Sequence, residues 1–350
     1  MIKARTRRII QGADYSAQEP RVLSMLCRDE GMLKAYRDGK DLYVEIASIS
    51  LHLPYNECLE HFPKDSPIIK RDKKWYYATK EEIEAKKYDK LADGETDIYK
   101  DGKERRGQAK KILLGIMYGR GEHSIAEQLG CSVEEAKDIK NSVYDAFPGI
   151  KLFERESELM VREKGYVTTL WGRKRRLPDF NLPSFELFYT DENGIIDKTK
   201  HVQKDIAEDK IAKLQSMYWA SKAKYIEELK KVHQIGVIDN GGKVSDASRQ
   251  IINSRVQGSS ADMSKLALIK IRNDEELNIR GVRTIIPVHD EILIETPLRY
   301  AKYVKTRFAE DMETAAKPKL NIPVYCDVVS SERWYGEELN LNELLAEFDD

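Results

Sequence analysis

Glu104–Gly121 reads ERRGQAKKILLGIMYGRG. From Arg106, steps of four reach Lys110, Leu114 and Tyr118. An α-helix turns about 100° per residue, so each such step drifts by only ~40° and the four side chains share one broad face. That face carries two cations, then an aliphatic group, then a ring with a hydroxyl. Ile112, Leu113, Ile116 and Met117 form an apolar flank for packing, and Gly119 and Gly121 are placed to stop the helix. A surface cationic at one end and stackable at the other suits a molecule with phosphates at one end and a flat base at the other. Taken alone, the same pattern also describes an ordinary amphipathic helix with solvated Arg and Lys. Its surroundings decide between them.

Upstream, Ile9-Ile10 is the only apolar pair available for a strand ahead of Ala13-Asp14-Tyr15-Ser16. Asp14 therefore sits where a strand gives way to a helix pattern that runs through Val22, Leu23, Met25 and Leu26 to Tyr36. Gly39-Lys40-Asp41 starts another helix, with Tyr43, Ile46, Ala47 and Ile49 inside it. Residues 63–102 are polar and rich in Lys and Glu around Trp75-Tyr76-Tyr77, and read as an insertion with a short hairpin and a helix.

Downstream, Ser132 and Glu135 have the capping-box spacing, and the helix they open reaches Phe147, where Pro148-Gly149 breaks it. Ile150–Lys164 is a further helix, ended by Gly165. Tyr166–Leu170 alternates and leads into the basic run Gly172–Arg176, a hairpin pattern. Residues 186–245 form a second polar insertion with one long helical centre, Lys204–Lys231, closed by Gly241-Gly242. A strong helix follows from about Ser245 to Asn273. Thr284–Val288 and Ile292–Glu295 are strand-like, and only His289, Asp290 and Glu291 separate them, which predicts a tight hairpin with acid at its tip. A helix from Arg299 to Ala316 and a strand at Val324–Val329 complete the pattern. Strands separated by long helices, with a late hairpin, predict an α+β fold built on an antiparallel sheet.

The chain has 350 residues, is 41% hydrophobic and 34% charged, and can bury a sizeable core. No apolar run approaches the roughly 20 residues of a membrane span, and no signal-peptide pattern opens the sequence. Cys27, Cys58, Cys131 and Cys326 lie far apart, which argues against a zinc site or a disulfide framework and for a cytoplasmic setting. The net charge of −1 does not advertise a nucleic-acid binder, but basic residues cluster at Arg5–Arg8, Arg105–Lys111 and Arg173–Arg176. Acid gathers toward the C-terminus, from Glu337 and Glu338 through Glu343 and Glu347 to Asp349 and Asp350. Local basic patches can bind phosphates within a neutral total.

Asp14 at a strand end and Asp290 at a hairpin tip can converge on divalent cations. Mg²⁺ prefers oxygen ligands and keeps several waters, so one or two carboxylates plus substrate phosphates suffice. Two such ions roughly 3.5–4 Å apart activate an attacking oxygen and stabilise a leaving one.

These elements carry a family resemblance. Asp14-Tyr15-Ser16-Ala17-Gln18-Glu19-Pro20-Arg21 resembles the first motif of the DNA polymerase I family (family A DNA polymerases), Asp-Tyr-Ser-x-x-Glu-x-Arg. Arg106-x-x-x-Lys110-x-x-x-Leu114-Gly115-x-x-Tyr118-Gly119 resembles its second motif, on the fingers helix, and Val288-His289-Asp290-Glu291 its third. Arg249-x-x-x-Asn253-x-x-x-Gln257-Gly258 is similar to the palm helix that touches primer and template. The motifs occur in the family's order.

The resemblance implies template-directed DNA synthesis from deoxynucleoside triphosphates on a primer-template. Asp14 and Asp290 would hold two Mg²⁺ ions, with the backbone carbonyl of Tyr15 as a further ligand. Arg106 and Lys110 would grip the triphosphate, Lys110 helping to protonate pyrophosphate. Tyr118 and Gly115 would lie under the template base and nascent pair. Glu19 would be the steric gate against a ribose 2′-OH. Arg249, Asn253, Gln257 and His289 would contact the primer end and minor groove, and Glu291 would lie near the metals without being an obligatory ligand.

Departures accompany the match. Leu114 stands where the family usually has Phe or Tyr, Tyr43 where many members have a phosphate-binding His, and Ala17-Gln18 in place of the usual Gln-Ile.

The implied layout is an antiparallel palm sheet with a helical fingers subdomain. Residues 1–62 would hold the first palm strand and the start of the fingers, 103–165 the fingers helices, 166–185 a hairpin and basic loop, and 246–350 the rest of the palm. Residues 63–102 and 186–245 would be insertions. With 13 residues ahead of Asp14, a thumb and an exonuclease are expected to be absent and a second polypeptide to supply the thumb. The compact, divergent form is expected of a phage-like source. Two other readings use the same residues: a non-catalytic DNA-binding subunit, which has no need of both aspartates, and a two-metal nuclease, which leaves the Arg106/Lys110/Tyr118 face without a role.

Overall fold

Arg8–Tyr15 is an interior strand, paired antiparallel with Glu291–Pro297 on one side and Cys326–Ser331 on the other. Arg283–Val288 adds to the outer side of Glu291–Pro297 and completes a four-stranded sheet. This is a computed structural model, which describes residues 2–63, 66–71, 74–90, 99–317 and 319–346. Glu347, Asp349 and Asp350 of the acidic C-terminal run, and parts of the 63–102 insertion, lie outside the described residues. The fold is α+β on an antiparallel sheet, as the strand and helix pattern predicts.

Burial explains why the strand beginning with Arg8 is central. Ile9, Ile10, Ala13 and Tyr15 are buried, and so is Gln11, whose amide is fully used. Gln11 Nε2 donates to the Ala301 carbonyl at 2.9 Å and to Ser330 Oγ at 3.1 Å, while its Oε1 accepts from Thr296 Oγ1 at 2.8 Å. A buried amide with all these partners ties strand to strand and to the following helix at little desolvation cost. Helix Ala301–Thr314 lies against the sheet through Val304, Phe308 and Met312, and the Tyr15 hydroxyl donates to the Met312 carbonyl at 2.8 Å.

The late hairpin is one residue tighter than expected, because Glu291 already belongs to the return strand. His289 takes a φ of +55°, a left-handed conformation that His adopts more readily than most residues. The register then sets Glu291 opposite Asp14 on one side and Asp327 opposite it on the other.

Two units are distinguished: residues 1–157, 168–175 and 252–350, and residues 158–167 and 176–251. The first holds the sheet and most of the helices. Asp41 caps helix Leu42–Leu51, accepting from the Tyr43 amide at 2.8 Å. Helix Lys100–Met117 packs against it and starts four residues before the quoted stretch. Gly102 is required there, since a Cβ would lie 1.9 Å from the Leu59 carbonyl oxygen. Gly119 ends the helix at φ +64°, whereas Gly121 starts the next, Glu122–Leu129. Ser132 and Glu135 form the expected capping box. Within residues 63–102, hairpin Pro67–Arg71/Lys74–Tyr77 and helix Lys80–Glu84 are joined by a short third strand, Asp89–Lys90.

The second unit departs from the pattern predicted for 186–245. Its centre is a three-stranded antiparallel sheet in the order Ile196–His201, Phe185–Thr190, Ile235–Asp239. The expected single helix is two, Lys204–Ser216 and Trp219–His233, separated at Met217, whose backbone is extended. One straight helix of that length would run about 40 Å. The break lets Leu214 from one helix and Tyr225 and Leu229 from the other reach one small core. Gly241-Gly242 do not close a loop; they begin helix Gly241–Asn273. The four cysteines are free, and no helix among the described residues is long and apolar enough to cross a membrane.

Glu295, buried on the strand after the hairpin, receives Arg5 Nε at 2.9 Å and lies 2.9 Å from Arg8 Nε. The Arg5 hydrogen bond, then the Arg8 and Arg5 charges, outweigh burial and hold its carboxyl down at about 2. A depressed carboxylate contributes stability that is present above its unfolded value, about 4.5, and lost as pH falls toward 2. Glu295→Gln should therefore lower the unfolding free energy by roughly 1–3 kcal/mol at pH 7. The gap between variant and parent should close between about pH 4.5 and 2 in denaturant titrations; a gap constant across that range would refute the ion-pair account.

Candidate active site

The sheet delivers two carboxylates to one place. Asp14 ends the strand Arg8–Tyr15 and Asp290 occupies the hairpin turn, and their side chains come within hydrogen-bonding reach. Burial first, then the charges of Asp290 and Glu291, push the Asp14 carboxyl up to about 6. Like charges brought together raise a carboxyl in this way, and a cation between them removes the conflict. The pair plus substrate phosphates fits a divalent cation that keeps its own waters. Among the described residues no group of three or more His, Cys, Asp or Glu is set to hold a metal unaided.

Both aspartates line a cavity of about 570 Å³ whose other wall is the cationic helix. Arg106, Lys110, Leu114 and Tyr118 all face it, while Ala109, Ile112, Leu113, Ile116 and Met117 are buried behind. Lys110 is exposed and makes no ion pair among the described residues. Arg106 is engaged: its Nε donates to Asp41 Oδ2 at 2.8 Å, a second nitrogen lies 3.9 Å from Glu60, and its guanidinium sits 5.4 Å from the Tyr43 ring centroid. Asp41 therefore caps one helix through Oδ1 and holds the arginine of another through Oδ2.

Glu19 receives the Tyr118 hydroxyl at 3.1 Å. Burial raises its pKa, the Asp290 charge adds to that, and hydrogen bonds from Tyr118 and Gln257 pull the other way. Tyr43 is buried, which raises its hydroxyl pKa against the opposing charge of Arg106. Ala17 begins the helix that carries Glu19 and takes a left-handed φ of +52°.

Other expected residues are placed differently. Gly115 is buried away from the cavity, and a Cβ on it would come 3.3 Å from Ile125. Its smallness serves packing between helices. The Glu291 carboxylate accepts from Trp334 Nε1 at 3.0 Å and lies over the backbone of Gly12, where a Cβ would come 2.4 Å from Glu291 Oε1. Tyr15 has its ring in the core. Asn253 is half-buried with an unpartnered amide oxygen, His289 is exposed at the turn, and Arg249 belongs to the second unit, paired with Asp246.

Several contributors carry no local signal. Arg21 is buried, donates from Nε to the Ser16 carbonyl at 2.9 Å, and stacks on Tyr36 and Tyr325 at 4.5 and 5.2 Å. Ser16 Oγ donates to Asp327 Oδ2 at 3.1 Å. Arg21 and Ser16 lie inside a quoted motif; Asp327, Tyr325 and Trp334 become visible through pairing of the last strand.

Comparison with known proteins places the chain in a family. Residues 89–336 match the model of DNA polymerase family A. The chain belongs to that family. It is 25% identical over 329 residues to DNA polymerase I of Streptococcus pneumoniae, covering 93% of this chain and 26% of that protein. Thermostable DNA polymerase I of Thermus thermophilus is 24% identical over 92% of this chain and 26% of its own length. For DNA polymerase theta of Drosophila melanogaster the figures are 24%, 93% and 11%. The chain thus spans about a quarter or less of these relatives. The POL domain of Pol1 from M. smegmatis, solved in complex with DNA primer-template and dNTP, shares the fold, with a TM-score of 0.62 and 21% identity over 95% of this chain and 41% of that one.

The double role of Asp41 separates two substitutions. Asp41→Ala removes both cap and ion pair and should cost about 1–2 kcal/mol of stability, whereas Asp41→Asn keeps a capping oxygen and should cost under about half of that. Denaturant midpoints check this, and equal losses in the two variants would contradict the cap assignment.

Proposed function

We propose that the chain catalyses template-directed DNA synthesis, joining a deoxynucleoside triphosphate to a primer 3′-OH with release of pyrophosphate. The observation that carries this reading is the juxtaposition of Asp14 and Asp290 with the Arg106–Tyr118 helix face across one nucleotide-sized cavity, in a chain of DNA polymerase family A.

Asp14 and Asp290, with the Tyr15 carbonyl, would hold two Mg²⁺ ions, which neutralise phosphate charge and activate the attacking hydroxyl when bound. Phosphoryl transfer is governed by positioning and charge stabilisation, and the chain's own groups are disposed for that. Lys110, free of ion pairs among the described residues, binds the outer phosphates and gives a proton to the departing pyrophosphate. Arg106 joins it by exchanging the Asp41 carboxylate for a phosphate. Leu114 and Tyr118 offer an apolar and aromatic surface to the base.

Glu19, held by Tyr118, stands as the steric gate against a 2′-OH. Gln257, Asn253, His289 and Arg249 contact primer and template, and Glu291, seated on Trp334, supports the hairpin rather than binding metal. Tyr43 backs Arg106 in place of a cationic phosphate ligand. The expected setting is a bacterial or phage-infected cytoplasm.

Primer extension with labelled primer-template, Mg²⁺ and all four deoxynucleotides tests the reading. Asp14→Asn or Asp290→Asn should reduce extension by at least about a thousandfold without unfolding the protein. Extension within about tenfold of the parent would overturn the assignment, and binding alone or primer shortening by the parent would favour a scaffold or a nuclease. In the same assay Glu19→Ala should raise ribonucleotide incorporation relative to deoxynucleotide; unchanged selectivity would remove Glu19 from the gate.

A further inference from the structure

The smaller unit exposes two adjacent aromatic residues that its own fold does not use. Tyr218 is 91% and Trp219 84% exposed, at the break between helices Lys204–Ser216 and Trp219–His233. Large aromatics are rarely left so bare side by side in a module that buries seven other residues in its core. The sequence at the break is locally basic, with Asp209 and Glu228 near the Tyr225 ring at its margin. From Lys210 to Ile226 the sequence is KIAKLQSMYWASKAKYI, with Lys210, Lys213, Lys222 and Lys224 and no Asp or Glu.

Packing holds two of these lysines against rings of the module's core. Lys213 Nζ lies 4.2 Å from the Tyr225 ring centroid and Lys222 Nζ 5.1 Å from that of Phe185, both rings of the same core. Lys222 also falls three residues after Trp219, on the same helix face. Each ammonium group thus lies over an aromatic ring of the module.

We propose that this patch, Tyr218-Trp219 with Lys213 and Lys222, is a binding site for single-stranded DNA. Flat rings with nothing stacked on them accept unpaired bases whatever their sequence, and lysines on the same module can follow a phosphate backbone. Duplex DNA would not satisfy the rings, because its bases are already stacked on one another. A polypeptide partner would be expected to find some acceptor for its own cations, and between residues 210 and 226 there is no carboxylate to offer one.

The site is independent of the cavity chemistry, so its test is run in chelator, where nucleotide transfer cannot occur. A fluorescent oligo(dT) strand is titrated with the full chain and binding is read by anisotropy. Tyr218→Ala/Trp219→Ala should weaken binding by at least about tenfold, the loss expected for removing stacked bases. Lys213→Gln/Lys222→Gln should weaken it and flatten its dependence on salt. Intrinsic fluorescence should be quenched by oligo(dT) in the parent and much less in Trp219→Phe. None of the three variants changes a buried side chain, and unaltered circular dichroism and thermal midpoints will confirm that the fold is kept. An oligo(dT) affinity within about twofold of the parent in the Tyr218/Trp219 variant overturns the proposal, as does a patch that captures a polypeptide while ignoring the oligonucleotide.

Discussion

Two carboxylates held against each other by antiparallel strand pairing are what the first unit is built to sustain. Asp14 and Asp290 repel, and burial sharpens the repulsion enough to lift the Asp14 carboxyl to about 6. Nothing local would keep them there. They stay because Arg8–Tyr15 is fixed on both sides by paired strands, because Gln11 is saturated with hydrogen bonds beneath, and because a two-residue turn leaves Asp290 no slack. The Glu295 ion pair with Arg5 and Arg8 fastens the far end of the same strand pair. An unrelieved charge conflict in a rigid frame is a standing preference for a cation.

The opposite wall answers that arrangement with a graded surface. Lys110 is open, Arg106 is parked on Asp41, and Tyr118 is tied to Glu19. Each attachment gives the side chain a defined position that an anionic, base-bearing ligand can take over. Since Asp41 also caps helix Leu42–Leu51, Arg106 and the backbone of the neighbouring helix share one carboxylate. The cavity is thus organised by the helices around it as much as by the sheet.

Most of this was legible in spacing. Arg106, Lys110, Leu114 and Tyr118 lie on one face because helical geometry requires it, and the hairpin announced itself by two β-rich runs with no room between them. Capping at Ser132 was equally plain. Contacts far apart in the chain were not: no local pattern links Gly12, Glu291 and Trp334, or Ser16 and Asp327. The resemblance implied a place for Gly115 under the nascent pair, and no local pattern showed that Ile125 packs on it. The smaller unit misled for a related reason. Ile196–His201 is almost wholly solvated and therefore polar, so its strand lacks the apolar alternation that would mark it. The break at Met217 carries no Gly or Pro and is imposed by a core that neither helix reveals alone.

Anomalous diffraction from crystals grown with Mn²⁺, primer-template and a non-hydrolysable deoxynucleotide tests the central claim most directly. The account predicts anomalous peaks between the Asp14 and Asp290 carboxylates, with the triphosphate reaching from them to Lys110. Peaks elsewhere, or a triphosphate bound away from the Lys110 face, would contradict it.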